Sequence, residues 1–205
     1  MLEIKEIICK SALVKSHLPD ADYVINPYTG CELACSYCYA SFMSKFIDKP
    51  FSSWGNFIYP KINIVEVLQK QLLSKKLDKT KTILMSSVTD PYTFIEKKYE
   101  LTKQILQTLS DNLWQGRIGI LSKNPLLIRD MDIFKQLQNI EVGKDFKIHG
   151  NENTNCQQKK ILGVPDRELG CNTQLMEELT NKLGSIRLLS KGITKKCETY
   201  YKAAV

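Results

Sequence analysis

The chain has 205 residues, of which 43% are hydrophobic and 25% are charged. This length and composition are ordinary for a soluble globular protein with one well-packed domain. No apolar run approaches the roughly 18–20 residues of a membrane span, so no membrane partner is expected. The net charge of +7 is spread over separated lysine pairs, which permits contact with nucleic-acid phosphates without demonstrating it.

The amino terminus and the cysteine usage bear on the compartment. Residues 1–6 alternate charged and apolar side chains, unlike a signal peptide. The seven cysteines of the chain show no pairing pattern, which fits a reducing environment. We therefore expect a cytoplasmic protein.

Strand and helix patterns alternate through the first 140 residues. Apolar runs predict strands, and apolar residues at three- to four-residue spacing predict helices. Alternation of this kind indicates parallel strands joined by right-handed βαβ units, an α/β fold. The predicted strands are Tyr23–Ile25, Thr82–Ser87 and Ile118–Leu121, and the predicted helices are Ile62–Leu77, Glu100–Leu113 and a third that Asp130 caps.

The last part of the chain does not continue this pattern. Only one helix, over 174–183, and one short strand, over 186–189, are predicted there. We divide the chain into a core over 1–142 and a divergent or unrelated tail over 143–205. Either the core is truncated, which we favour, or its later units have diverged beyond recognition.

Three cysteines lie within eight residues, at Cys31, Cys35 and Cys38. Three thiolates on one short loop can bind three irons of a [4Fe–4S] cluster and leave the fourth iron open to a small molecule. A structural zinc site normally has four Cys or His ligands, commonly as two separated pairs, and no fourth ligand lies nearby. A disulfide framework is disfavoured because the clustered cysteines are odd in number. The spacing therefore favours an iron–sulfur cluster and keeps zinc as an alternative.

The residues around the triplet resemble the radical S-adenosylmethionine (SAM) superfamily, in particular its spore photoproduct lyase-related branch. The resemblance is carried by the segments Asn26–Cys31, Cys35–Ala40 and Thr89–Tyr92 and runs from about Val24 to about Val142. It implies a partial (β/α) barrel, of which about three βα units are recognisable here. It also implies that the cluster binds SAM, and that a reductant such as flavodoxin or ferredoxin drives its cleavage to methionine and a 5′-deoxyadenosyl radical.

The resemblance also assigns individual residues. It places Tyr37 against the SAM adenine, Thr89 as a hydroxyl contacting SAM, and Lys123 opposite the SAM carboxylate. Packing in the core for Tyr37 and exposure on the surface for Lys123 are the structural alternatives. Tyr39 is either a relay for a hydrogen atom or a packing residue, and Asp90 receives no catalytic role.

One departure from the branch concerns the substrate. Ser87 stands where the repair lyase has a hydrogen-donating cysteine, and a serine O–H bond is too strong to replace a thiol. We expect a radical SAM iron–sulfur enzyme of unknown substrate, with no catalytic residue assigned. The alternatives are a DNA photoproduct lyase, and a catalytically inactive fragment that binds a cluster or zinc.

Overall fold

The structure is a computed structural model that describes residues 1–35, 38–137 and 139–144 and the strand Arg187–Leu188. Helices longer than one turn alternate with strands through the second half of this region. The strands are β1 (Glu3–Ile4), β2 (Val14–Lys15), β3 (Tyr23–Ile25), β4 (Tyr28–Gly30), β5 (Phe57–Pro60), β6 (Ile83–Met85), β7 (Ile118–Ser122), β8 (Ile140–Lys144) and β9 (Arg187–Leu188). The α-helices are α1 (Ile64–Leu72), α2 (Glu96–Tyr99), α3 (Leu101–Asp111) and α4 (Met131–Gln136), and 3₁₀ helices span Tyr39–Ile47, Phe51–Ser53 and Pro125–Asp130.

The larger sheet has the strand order β2-β3-β6-β7-β8-β9. All neighbours from β3 to β9 are parallel, and β2 alone is antiparallel to its partner. Val24, Leu84 and Gly119 lie side by side across β3, β6 and β7. The carboxyl ends of these three strands therefore meet at one edge. The smaller sheet has the order β1-β5-β4.

The core lies between the larger sheet and its helices. On the strands, Ile25 and Met85 are fully buried, and they belong to the same apolar cluster as Leu68 of α1, Ile105 of α3 and Phe134 of α4. Burial of one such side chain contributes about 1.5–3 kcal/mol. The alternate strand residues face the other way, and Leu84 and Leu121 are only half-buried there.

The predicted α/β class is confirmed, with two mixed sheets and the three predicted strand–helix repeats. The observed helices end earlier than predicted: α1 stops at Leu72, and Leu73 beyond it is exposed. The smaller sheet and β8 were not predicted from the sequence, because short strands leave little periodicity. The partial barrel expected from the resemblance stays a prediction.

Asp130 does not cap α4 as predicted. Its carboxylate gives the helix no capping hydrogen bond and is instead held by the Arg129 guanidinium, at 2.7 Å from Nε and 2.9 Å from Nη2. A charge-assisted pair of this kind is stronger than a neutral backbone contact. The capping role falls to Asn124, whose side chain accepts from the Leu126 N–H at the start of the preceding 3₁₀ helix.

Beyond the core, the strand predicted over 186–189 is observed as β9 and pairs in parallel with β8. The helix predicted over 174–183 lies outside the described residues. The division at 142/143 stays a prediction. Within the described part of the chain, no helix has both the length and the apolar character needed to cross a membrane.

Candidate cofactor site at the carboxyl edge of the sheet

The loops that leave β3 and β6 are joined by Asn26, the first residue after β3. Its side-chain oxygen accepts hydrogen bonds from the backbone N–H groups of Ser87, at 2.9 Å, and Val88, at 3.3 Å. Its backbone carbonyl accepts from the Lys61 ammonium at 2.8 Å. Because an amide oxygen has two lone pairs, one asparagine can accept from two backbone N–H groups and so hold the ends of β3 and β6 together.

Asp90 joins the loop after β6 to the end of β7. One carboxylate oxygen accepts from the Ser122 hydroxyl at 2.7 Å and from the Tyr92 N–H at 2.8 Å. The other oxygen accepts from the Lys123 N–H at 2.9 Å. Asp90 is buried, so these donors replace the water that a carboxylate would otherwise bind. Both oxygens are therefore committed to holding the two loops together.

The order of the motifs along the chain predicts that the cysteine loop follows β3 directly, but the loop reaches this edge by way of β4 in the smaller sheet. It does not follow β3 directly, because Pro27 cannot donate to a strand ladder and the chain turns into β4, which pairs with β5. Cys31 comes directly after β4. The Thr89 hydroxyl donates to the Gly30 carbonyl at 2.7 Å, and the Tyr39 phenol donates to the Ser87 carbonyl. Residues on both sides of the triplet are thus tied to the loop after β6.

The backbone of the cysteine loop is tightly folded. Gly30 has φ +89°, and a Cβ there would lie 2.5 Å from the Phe57 ring and carbonyl. This conformation and this close approach both require glycine. The Cys38 N–H donates to the Cys35 carbonyl at 3.0 Å, which closes a turn between two of the predicted ligands.

The thiol of Cys31 is buried, whereas Cys35 and Cys38 are half-buried. Burial raises the pKa of Cys31, and the neighbouring Asp90 carboxylate adds to this, against the opposing backbone N–H groups of Asp90 and Leu33. A metal ligand must lose this proton, and a bound cation is what makes a buried thiolate stable. The donor set therefore fits a thiolate-bound iron–sulfur group in its chemistry.

The arrangement of the candidate metal ligands is distinct from their chemistry. Among residues 1–35, 38–137 and 139–144, no group of three His, Cys, Asp or Glu side chains is arranged to hold a metal ion. Residues 36 and 37, inside the cysteine loop, lie outside the described part, and so does the predicted adenine contact Tyr37. Ligation by Cys31, Cys35 and Cys38 stays a prediction.

The other two predicted SAM contacts lie on the loops that Asp90 joins. Thr89 precedes Asp90, and Lys123 follows the last residue of β7; both are half-buried. The hydrogen bonds from Thr89 to Gly30 and from Lys123 to Asp90 bring these residues to the same edge as the cysteine loop. Their roles toward SAM remain predictions.

Sequence reasoning missed Glu32, which lies inside the cysteine motif. This carboxylate is almost completely buried and accepts hydrogen bonds from the backbone N–H groups of Phe94 and Ile95. Burial raises its pKa to about 7, although the two N–H donors oppose the shift. Glu32 fixes the cysteine loop to the segment before α2. A charged residue in a loop is ordinarily solvated, so no local pattern indicates this role.

Glu96 and Thr102 have structural roles behind the site. The buried Glu96 carboxylate accepts from the Tyr28 phenol, from Arg129 Nη2 at 2.9 Å and from the Thr102 N–H at 3.1 Å. The Thr102 hydroxyl donates to the Pro91 carbonyl. These bonds support β4 and the Asp90 loop from beneath.

Comparison with known proteins places this arrangement in context. No protein-family model matches the chain. An uncharacterised protein of Methanocaldococcus jannaschii is 39% identical over 142 residues, which are 69% of this chain and 51% of that protein. An uncharacterised protein of Mycobacterium tuberculosis is 31% identical over 137 residues, 64% of this chain and 39% of that protein. The chain therefore spans about half, or less, of the length of these relatives.

Solved structures show a similar fold in spore photoproduct lyase. A cysteine-to-serine mutant of that enzyme superposes with a TM-score of 0.59 at 13% identity, over 90% of this chain and 49% of that one. A double mutant with bound AdoMet (SAM) and dinucleoside spore photoproduct gives 0.55 at 14% identity, over 97% and 66%. The chain shares the fold of spore photoproduct lyase.

Proposed function

We propose that the chain is the core of a radical SAM protein, which binds a [4Fe–4S] cluster and cleaves SAM reductively. The observation that carries the proposal is the meeting of the cysteine loop, Thr89 and Lys123 at the carboxyl edge of a parallel sheet, where α/β folds place their ligands. The likeness to the fold of spore photoproduct lyase supports it.

In this proposal Cys31, Cys35 and Cys38 hold the cluster. When bound, the cluster supplies the electron that cleaves SAM to methionine and a 5′-deoxyadenosyl radical. The protein limits the access of water to the start of the cysteine loop, since Cys31 and Glu32 are buried there and Glu32 is bonded to backbone N–H groups. A dry site also protects a radical from side reactions.

Thr89 and Lys123 would hold the two ends of the SAM amino acid. The Lys123 ammonium is a point charge on a flexible stem and suits the carboxylate. The Thr89 hydroxyl already donates its single hydrogen to the Gly30 carbonyl. Because a hydroxyl retains two lone pairs after donating, Thr89 is left to accept, and the SAM amino group is the donor that this requires.

The substrate is a further question, because the chain spans only part of its relatives. The lyase structure with bound dinucleoside spore photoproduct makes a DNA photoproduct the analogue to test. Ser87 argues against a DNA photoproduct as the substrate, since a serine O–H bond is too strong for this residue to replace a thiol as hydrogen donor.

The test uses the full chain reconstituted with iron and sulfide under anaerobic conditions. The proposal expects about four irons and four sulfides per chain, a change in the electron paramagnetic resonance (EPR) signal of the reduced cluster on adding SAM, and formation of 5′-deoxyadenosine with dithionite. Stoichiometric zinc without sulfide would establish the zinc alternative. A cluster that never yields 5′-deoxyadenosine would establish an inactive fragment.

A further inference from the structure

Asp90 joins two of the three loops of the candidate site, the loop after β6 and the loop after β7. We propose that Asp90 is a positioning residue: its carboxylate fixes the backbone of Lys123 and so aims the Lys123 ammonium at the carboxylate of SAM. The inference rests on the proposed function, and its test is designed so that the two can fail separately.

The two carboxylate oxygens of Asp90 bind separate sets of donors. One accepts from the Lys123 N–H at 2.9 Å, and the other accepts from the Ser122 hydroxyl at 2.7 Å and the Tyr92 N–H at 2.8 Å. An asparagine has one acceptor oxygen and could not satisfy both sets of donors. The arrangement therefore requires a carboxylate.

The side chain of Lys123 is flexible, so its backbone must be held in place. Its ammonium stands on a four-carbon stem with many rotamers, so the backbone position sets the volume that the charge can reach. Lys123 is the first residue beyond β7, where the β7 ladder has ended, and its N–H is bonded to Asp90. If that bond is lost, SAM must order the loop as well as the side chain when it binds, which weakens binding.

Thr89, the residue before Asp90, anchors the cysteine loop. Thr89 donates to the carbonyl of Gly30, the residue before Cys31. The two consecutive residues Thr89 and Asp90 therefore hold the cysteine loop on one side and Lys123 on the other. This dipeptide therefore fixes the backbone of Lys123 relative to the backbone at the start of the cysteine loop.

A purely structural role is the rival explanation, and the chain supplies a matched control. Asp130 is also a buried aspartate with bonded oxygens, but its carboxylate faces the Arg129 guanidinium and the Tyr92 phenol, not the Lys123 N–H. Asp90→Asn and Asp130→Asn each remove one buried carboxylate of the same size. Both should lower the melting temperature, but only Asp90→Asn should release Lys123.

The experiment has one readout without a cluster and one with it. In the cluster-free protein, Asp90→Asn should accelerate hydrogen exchange at the Lys123 amide, and Asp130→Asn should not. In the reconstituted protein, SAM is titrated against the EPR signal of the reduced cluster. Asp90→Asn should bind SAM about tenfold more weakly, the size expected when one hydrogen bond to a charged group is lost.

A double-mutant cycle separates action through Lys123 from a general loss of structure. In a Lys123→Ala background, Asp90→Asn should change SAM affinity less than about twofold, because the group that it positions is already gone. An equal loss in both backgrounds would overturn the proposal, and so would unchanged Lys123 exchange in Asp90→Asn. If Asp90→Asn does not fold, Asp90→Glu takes its place, since it keeps both acceptor oxygens and the charge but moves the oxygens by one methylene relative to the Lys123 N–H; Lys123 exchange should again be faster. A wild type that binds no SAM would refute the proposed function alone, because the exchange measurement does not depend on it.

Discussion

The hydroxyl of Thr89 donates a 2.7 Å hydrogen bond to the carbonyl of Gly30, which directly precedes Cys31. This bond links two motifs that are 59 residues apart in the chain. It fixes the start of the cysteine loop to the carboxyl end of β6 (Ile83–Met85) and leaves the Thr89 lone pairs available to accept. The same residue can thus build the site and contact its ligand.

The first prediction concerns the cysteines. Replacing Cys31, Cys35 or Cys38 singly by Ala should abolish the brown absorbance and reduce bound iron and sulfide to background, because two remaining thiolates cannot retain the cluster. Cys9→Ala is the matched control, since Cys9 is a free cysteine outside the loop. A loop variant that keeps a full complement of iron would remove its residue from the ligand set.

The second prediction concerns SAM binding. Lys123→Ala should weaken the SAM-induced EPR change, since the SAM carboxylate loses its charge-assisted partner. Thr89→Ala should have the smaller effect, because a neutral hydrogen bond is worth only about 1 kcal/mol net. Lys135→Ala is the control, as Lys135 is paired with the exposed Asp132. An unaltered SAM response in Lys123→Ala would exclude Lys123 from the site.

The third prediction concerns the backbone before the cluster loop. Gly30→Ala should lower the free energy of unfolding by at least about 1–2 kcal/mol, the usual strain of a left-handed alanine, and its Cβ would also collide with Phe57. Gly119→Ala is the control, because its nearest neighbours lie at 3.7 Å or beyond and its φ is ordinary. Urea unfolding of the cluster-free proteins measures both. Equal stability of the two variants would contradict the conformation assigned to Gly30.

The fourth prediction concerns pH. Burial lowers the pKa of Lys61 below the ordinary 10.5, so the folded state binds this proton less tightly than the unfolded state. Stability from this group is therefore present above pH 10.5 and is lost as the pH falls through the lowered pKa. The unfolding free energy should rise with pH between the lowered pKa of Lys61 and pH 10.5, and Lys61→Met should flatten this rise.

The difference in unfolding free energy between wild type and Lys61→Met isolates the titration of Lys61 from that of other groups that titrate in the alkaline range. Loss of the hydrogen bond to the Asn26 carbonyl shifts the whole curve of the variant by a constant and does not affect its slope. Parallel curves for wild type and Lys61→Met would show that Lys61 has an ordinary pKa.

The sequence by itself determined the alternation of strands and helices and the identity of the chemical groups. The buried runs at Tyr23–Ile25, Ile83–Met85 and Ile118–Ser122 are strands because their apolar side chains are sequestered in the core, and this pattern is local. The spacing of Cys31, Cys35 and Cys38 is likewise a local property. The α/β class followed from these patterns.

Only the tertiary structure decided which polar groups are buried and what they bind. Glu32, Asp90 and Asn26 are indistinguishable in sequence from solvated loop residues, yet their oxygens hold the site through backbone N–H groups. Those donors are up to 63 residues away, so no local pattern encodes the pairing. The path of the cysteine loop through β4 (Tyr28–Gly30) was decided in the same way, because β4 is a strand only by virtue of its partner β5 (Phe57–Pro60).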